Sequence, residues 1–375
     1  MKTIFEAKEL RIQKVTHRKA LLPNKDLVFG KYFTDHMLLI GWDADHGWGP
    51  PRIKPYQKLM LDPSASVLHY GFECFEGMKA YKDTQGQIRL FRPEMNMDRL
   101  NRSAERLSLP TFDGRELLKC IAVLLHLDDM WIPRERGYSL YIRPTMIGVE
   151  PSLSVHTPNK VLLFVIASPV GPYYPTGFKA VSLLATTKYI RAWPNGTGDT
   201  KVGGNYAPCV KPQTMAHQHG HHQNLWLFGE DDQLTEAGTM NIFILWYTQE
   251  GKKELVTPPV SGLILPGVTR DSIIELVTSW GDLGVEVHER VVTMKEVVEA
   301  LQRDQVLEMF GSGTACIVSP IKRIGYSGHE FTVPLDPADP SSEAGPLTKR
   351  INQAITDIQY GVTPHRWSVP LSDYE

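Results

Sequence analysis

Nine residues, Pro169-Val-Gly-Pro-Tyr-Tyr-Pro-Thr-Gly177, hold three prolines and two glycines. Proline removes a backbone donor and fixes φ, while glycine raises the entropic cost of order. Such a stretch reads as a boundary between elements. It directly follows Val161–Ser168 (VLLFVIAS), which is nearly all apolar and reads as a strand covered on both faces. The chain therefore divides here. A smaller α/β domain is expected over residues 1–170, an interdomain loop over 171–178 and a larger domain over 179–375. The full 375 residues suit two domains of ordinary size, about 150 each.

Before the division, His36–Gly41 and Gln87–Phe91 read as short strands, and Tyr138–Arg143 (YSLYIR) alternates at period two. Met97–Leu107 sets Leu100, Ala104 and Leu107 at helical spacing and leaves Arg99 and Arg102 on another face. Arg115–Trp131 reads as one helix with a broad apolar side. After the division, strands are expected at Ala180–Thr186, Asn224–Phe228 and Asn241–Tyr247, and helices at Asp271–Trp280 and Leu347–Ile358. Phe331–Pro346 carries four prolines and reads as an irregular connection.

The 40 Lys+Arg against 42 Asp+Glu leave a net charge of −2, so no global basic field favours nucleic acid or an anionic membrane. No apolar run approaches the roughly 18 residues needed to span a bilayer. Cys74, Cys120, Cys209 and Cys316 form no CxxC pair, which argues against the usual zinc spacing and against a disulfide framework. A reducing compartment fits. The first 25 residues mix basic with acidic side chains and lead into no apolar run, so no secretory signal is expected. Cytoplasm and mitochondrial matrix both stay open.

The most unusual stretch is Asn195–Pro208, NGTGDTKVGGNYAP, in which four glycines surround Lys201. Glycines permit close backbone approach, so a large planar group fits against such a loop. A Gly-rich turn with a solvated lysine is an equal reading from composition alone. A phosphate-binding P-loop is not, because Lys201 follows Thr200 instead of Gly and precedes Val202 instead of Ser or Thr. A second cluster, MAHQHGHHQ, holds His217, His219, His221 and His222. His217 and His221 would share a helical face and reach one metal, but no carboxylate or Cys is fixed beside them and Gly220 weakens a helix. A solvated face is the reading taken, and no metal is expected.

TKVGGNYAP (200–208), LTEAGTMNIF (234–243), LPGVTR (265–270) and GSGTAC (311–316) together resemble the branched-chain amino acid aminotransferases. These are fold-type IV pyridoxal 5'-phosphate (PLP) enzymes of the class IV aminotransferase family. VFGKYFTDHM (28–37), LHYGFECFEGMKAY (68–81), NMDRLNRSA (96–104), YIRPTMIGVEPSL (141–153), SPVGPYY (168–174) and DIQYG (357–361) agree, in the family's order. The resemblance spans essentially the whole chain and is closer to the eukaryotic type than to the shorter bacterial enzymes.

The resemblance implies two domains, a smaller α/β domain and a larger β-barrel-like domain with surrounding helices. It places PLP on Lys201 as Schiff-base lysine and proton shuttle, Glu236 at the pyridine nitrogen and Tyr206 at the ring oxygen. For the phosphate it implies Arg99, the backbone N–H groups of Val268 and Thr269, and Thr314. The α-carboxylate would meet the N–H groups of Ala315 and Cys316. Phe29, Tyr70, Phe75, Tyr141, Tyr173, Thr239 and Met240 would wall the substrate pocket, with Arg143 for the glutamate side chain. Tyr173 would cap the site from the interdomain segment. Val155 would reach a neighbouring subunit's pocket in a homodimer. The implied partners are small molecules alone: L-leucine, L-isoleucine, L-valine, glutamate and their 2-oxo acids, with neither nucleic acid nor membrane.

Two departures stand out. Mammalian members carry CxxC after GSGTA, whereas this chain reads Cys316-Ile-Val-Ser319, so no disulfide can form within the motif. The segment GFECFEG (71–77) also brings Glu73 and Cys74 close to pocket residues. Within the same fold, a D-amino acid aminotransferase and an aminodeoxychorismate lyase are rivals; the aromatics at 70, 75, 141 and 173 favour the branched-chain reading.

Overall fold

The computed structural model describes residues 4–172 and 179–374. They fall into two compact units. The first comprises Met1–Pro172, Thr200–Gly204 and Asp357–Glu375, and the second Tyr173–Asp199 and Asn205–Thr356. The sequence expectation assigned everything beyond residue 178 to the second domain. The lysine-bearing Thr200–Gly204 and the residues from Asp357 onward instead have most of their contacts with the first unit.

Among the described residues, the first unit is built on a ten-stranded sheet. Its centre is the pair Lys160–Val170 and Ser139–Gly148, antiparallel over their whole shared length. Both strands are longer than the apolar runs suggest. Ser139–Gly148 even continues through Pro144, which has no N–H for a ladder. Its partner on that edge explains the tolerance. Glu73–Phe75 pairs as far as Phe75 with Thr145, and Met78–Lys82 resumes at Met78 with Ile142. The ladder is therefore interrupted opposite Pro144, where the N–H of Glu76 donates to the Pro144 carbonyl at 2.9 Å.

Two helices cover this sheet. Pro93–Arg106 begins with Pro93 in its first turn, where a missing N–H costs nothing. Gly114–Leu127 is capped by the Asp113 carboxylate, which accepts from the Arg115 N–H at 2.8 Å. Leu100, Ala104, Leu117, Ile121, Leu124 and Leu125 from these helices are buried with Leu140, Ile142, Leu163 and Val165 from the sheet.

The second unit's sheet has nine strands, and six of them close into a barrel. The circuit runs Gln233–Ala237, Gln223–Phe228, Val181–Thr186, Ile317–Tyr326, Val306–Gly313 and Met240–Tyr247. It returns to Gln233–Ala237 through the register pairs Glu236 with Asn241 and Ala237 with Met240. Gly238, at φ +61°, makes the tight turn between those last two strands. Val181–Thr186 is parallel to both its neighbours and the remaining contacts are antiparallel. Leu183, Leu225, Ile242, Ile244, Val306 and Ile321 fill a core of this unit's own. Among the described residues no helix is long and apolar enough to cross a membrane.

Candidate active site

In the first unit, Lys201 sits on a short extended segment fastened to Glu73–Phe75. Val202 bridges Cys74, the N–H of Phe75 donates to the Lys201 carbonyl at 3.0 Å, and the Lys201 N–H donates to Ser103 Oγ at 2.9 Å. The amine lies 5.0 Å from the centre of the Phe75 ring. Burial pulls its pKa below the ordinary lysine value and Arg99 adds to the fall, while Glu76 and Tyr141 oppose it.

Arg99 is buried, with 3% of its surface exposed, whereas Arg102 is exposed. Arg99 lies off the apolar stripe as the periodicity expects, but that spacing gave no sign that it would be buried while Arg102 is not. Asn96, Arg99 and Ser103 form a buried polar stripe at helical spacing beside the apolar one. Asn96 and Arg99 serve Glu76, the residue in the ladder gap, while Ser103 serves the Lys201 N–H. Arg99 Nε donates to Glu76 Oε1 at 2.6 Å and its Nη2 to Oε2 at 2.9 Å, and Asn96 Nδ2 donates to Oε2 at 2.9 Å. Sequence reasoning missed Glu76, because a glutamate before a glycine carries no local signal of burial.

Tyr141 and Arg143 project on one side of Ser139–Gly148, two residues apart. The Arg143 guanidinium stacks 4.5 Å from the Phe75 ring centre and donates to the Tyr141 hydroxyl at 3.0 Å, and its buried Nε has no hydrogen-bond partner among the described residues. Phe29 meets the Tyr141 ring edge-on at 5.0 Å. Gly77 is what lets Tyr141 in: a Cβ there would lie 1.9 Å from its hydroxyl. Glu73 accepts from the Gly203 N–H; burial raises its pKa, and Arg143 and that N–H oppose the rise. The structure thus brings together Lys201, Arg99, Phe75, Tyr141, Arg143 and Phe29. Tyr70 is half-exposed with its hydroxyl donating to the Leu153 carbonyl, and Val155, two residues beyond Leu153, is 75% exposed. Tyr173 and most of the interdomain loop lie outside the described residues.

In the second unit, Glu236 is buried on the strand that closes the barrel. Its Oε1 accepts from the Leu265 N–H at 2.8 Å and its Oε2 lies 3.3 Å from Arg191 Nε. Asn241, its register partner, donates from Nδ2 to the Leu265 carbonyl at 2.9 Å. Together they clamp the loop that enters the helix Val268–Ser279. That helix starts three residues before the expected Asp271, with Gly267 as its extended N-cap. Val268 and Thr269 are consequently its first two residues, whose N–H groups lack helical partners by construction. A Cβ on Gly267 would lie 2.2 Å from Asn241 Oδ1, so the glycine is required for this approach.

Thr314, Ala315 and Cys316 form the turn between Val306–Gly313 and Ile317–Tyr326. Ile317, directly after it, has φ +62°, a left-handed conformation that a β-branched residue adopts only under strain. Cys316 Sγ contacts Met240 Sδ at 3.3 Å, placing this turn beside the Gly238–Met240 turn, where Thr239 is exposed. Tyr206 precedes the short 3-10 turn Ala207–Cys209 and is half-buried. Among the described residues none of the four cysteines is in a disulfide.

The histidine cluster does not form the helical pair considered above. The helix Val210–Gln218 ends before Gly220, which has φ +78°. His217 Nε2 is then 2.8 Å from the His222 carbonyl, while His221 turns to Glu330 at 3.1 Å. Among the described residues no group of three or more His, Cys, Asp or Glu is arranged to hold a metal ion.

A family model described as Amino-transferase class IV matches residues 73–324. The cytosolic branched-chain-amino-acid aminotransferase of Saccharomyces cerevisiae is 52% identical over 377 residues, covering 98% of this chain and 98% of that protein. The mitochondrial form from the same organism is 52% identical over 372 residues, covering 98% of this chain and 94% of its own. Among solved structures, a T.th. branched-chain amino acid aminotransferase with pyridoxamine 5'-phosphate matches with a TM-score of 0.67 at 25% identity. That match covers 88% of this chain and 98% of the solved one.

Proposed function

The chain belongs to the class IV aminotransferases, as a branched-chain-amino-acid aminotransferase, and on that premise we propose that it moves the amino group of L-leucine, L-isoleucine or L-valine to 2-oxoglutarate in a ping-pong reaction. Its architecture is that of fold-type IV and its cofactor is PLP. Bound PLP supplies an aldehyde that receives the amino group and a conjugated ring that takes up the electron pair left by the α-proton.

Lys201 holds the cofactor covalently, and its amine carries the α-proton away and returns it. One placement carries this reading: the Lys201 segment is pinned to Glu73–Phe75 and Ser103, with its amine 5.0 Å from the Phe75 ring centre. There burial and Arg99 pull its pKa below the ordinary lysine value. A larger fraction is then free base near neutrality, the form that both tasks require. Arg99, fixed at two nitrogens by Glu76, presents its guanidinium to the phosphate. The N–H groups of Val268 and Thr269 suit the same anion as helix N-terminal donors, and Thr314 adds a hydroxyl. Glu236 serves the ring nitrogen and Tyr206 the ring oxygen.

On the substrate side, Phe29, Tyr70, Phe75, Tyr141, Tyr173, Thr239 and Met240 wall the pocket. Arg143 pairs with the distal carboxylate of glutamate, and its buried Nε, without a hydrogen-bond partner among the described residues, supports that assignment. Ala315 and Cys316 receive the α-carboxylate; the strain at Ile317 is the kind of backbone cost that persists where a turn is needed for function.

Lys201→Ala should lower leucine turnover by about 10³-fold or more, the scale of a lost positioned acid–base group compounded with lost covalent anchoring. Borohydride treatment of the native holoenzyme should leave a pyridoxyl group on the peptide holding Lys201. A variant that still cycles between leucine and 2-oxoglutarate, or a label on another peptide, would overturn the assignment.

The working form is a homodimer. Val155, Leu153, Leu68 and Tyr70 are exposed apolar side chains around one stretch of the first unit, which supports burial against a second copy. Sedimentation should report twice the 42.3 kDa chain mass. A monomer at assay concentration would contradict this.

A further inference from the structure

We propose that Glu73 sets the balance between the two substrate classes: its charge beside Arg143 disfavours dicarboxylates and favours branched aliphatic side chains. This rests on the assignment of Arg143 to the distal carboxylate of glutamate. Glu73 and Phe75 alternate with Cys74, which belongs to the first unit's core, so both face away from that core. The register pairs Glu73 with Ile147 and Phe75 with Thr145. Tyr141, Arg143, Thr145 and Ile147 share that face of Ser139–Gly148, which puts Glu73 on the side of Tyr141 and Arg143. The Lys201 segment closes the other flank. Val202 bridges Cys74, and a Cβ on Gly203 would lie 1.7 Å from Glu73 Oε2, so the carboxylate rests directly on that glycine.

The two buried arginines of this face are compensated differently. Arg99 grips both oxygens of Glu76. Arg143 stacks on Phe75 and donates to the Tyr141 hydroxyl, and among the described residues no carboxylate lies within ion-pair distance of it. Glu73 is the carboxylate on which Arg143 acts through space, without touching it. A guanidinium lodged between aromatic rings with no counter-charge would oppose the entry of a leucine side chain, which strips away its remaining water. Glu73 lowers that cost. A distal carboxylate, by contrast, reaches Arg143 only inside the field of a like charge, which weakens its binding. One side chain thereby acts in opposite directions on the two half-reactions.

Two unreactive ligands read this balance: glutarate, a dicarboxylate, and 4-methylvalerate, which carries the leucine side chain. Calorimetric titration of the holoenzyme gives both dissociation constants. Glu73→Gln keeps an acceptor for the Gly203 N–H and removes the charge. It should tighten glutarate about tenfold while 4-methylvalerate binds equally or more weakly, and the KM for 2-oxoglutarate should fall. Glu73→Met, also neutral and of similar length, should move the ratio of the two constants in the same direction. Damage to the fold would weaken both ligands together. Arg143→Gln tests the underlying assignment separately, and should weaken glutarate. If it does not, the assignment of Arg143 falls and the proposal with it. If it does, and neither Glu73 variant shifts the ratio towards glutarate, the proposal alone is overturned.

Discussion

Glu76 is completely buried, and its two oxygens are occupied by Arg99, Asn96 and the Gly77 N–H. Burial by itself raises a carboxyl pKa, but Arg99, Lys201 and Asn96 together pull this one below its ordinary value. A carboxylate with a lowered folded pKa stabilises the fold above its unfolded pKa, and that contribution disappears as pH falls through the folded value. Glu76→Gln should therefore cost about 3–5 kcal/mol at neutral pH, because it leaves Arg99 charged and buried. Urea titrations in acid should show the native protein losing stability towards the variant's level, and inorganic phosphate should restore part of the variant's loss. Equal midpoints at every pH would mean that the pair does not hold Arg99 in place. Residues such as Lys201 were legible because their chemistry sits inside a distinctive glycine context. Glu76, Asn96 and Ser103 were not, since their roles arise from a ladder gap and a helix stripe that meet only after folding.

Elements were legible where apolar spacing alone decides them, and their ends were not. The helix expected over Arg115–Trp131 stops at Leu127 because the next residue, Asp128, turns its carboxylate to the ring and N–H of buried His36. The helix expected from Asp271 starts at Val268, since Gly267 makes an adequate N-cap without a side chain, and Asp271 then sits in the first turn where the helix dipole favours it. Ser368–Pro370 was invisible as a strand: three residues cannot display a period. It nonetheless pairs with Ile88–Phe91 and ends the first unit's sheet, with Trp367 edge-on to Phe91 at 5.9 Å and the Tyr374 hydroxyl on Glu94. Deleting residues 364–375 removes the buried Trp367, Leu371 and Tyr374, each worth about 1.5–3 kcal/mol by burial, and bares a strand edge. The shortened chain should accumulate as aggregate on expression. A soluble product that melts with the intact protein would show that this strand is dispensable.

At the scale of the molecule, two strand-and-helix units and a barrel in the second were within reach of sequence pattern and resemblance. Which stretch of chain belongs to which unit was not. Periodicity is a local property, whereas the pairing of Val202 with Cys74 joins residues far apart in the sequence through backbone groups that every amino acid shares. The order of manufacture on the ribosome follows from that threading. Synthesis reaches the first unit before the second and adds its Lys201 segment late, yet its sheet lacks one rim until residues 368–370 emerge. All segments of the second unit are by then already translated. The half begun earliest is completed last, so a nascent polypeptide spends most of its time with an open sheet in need of shelter.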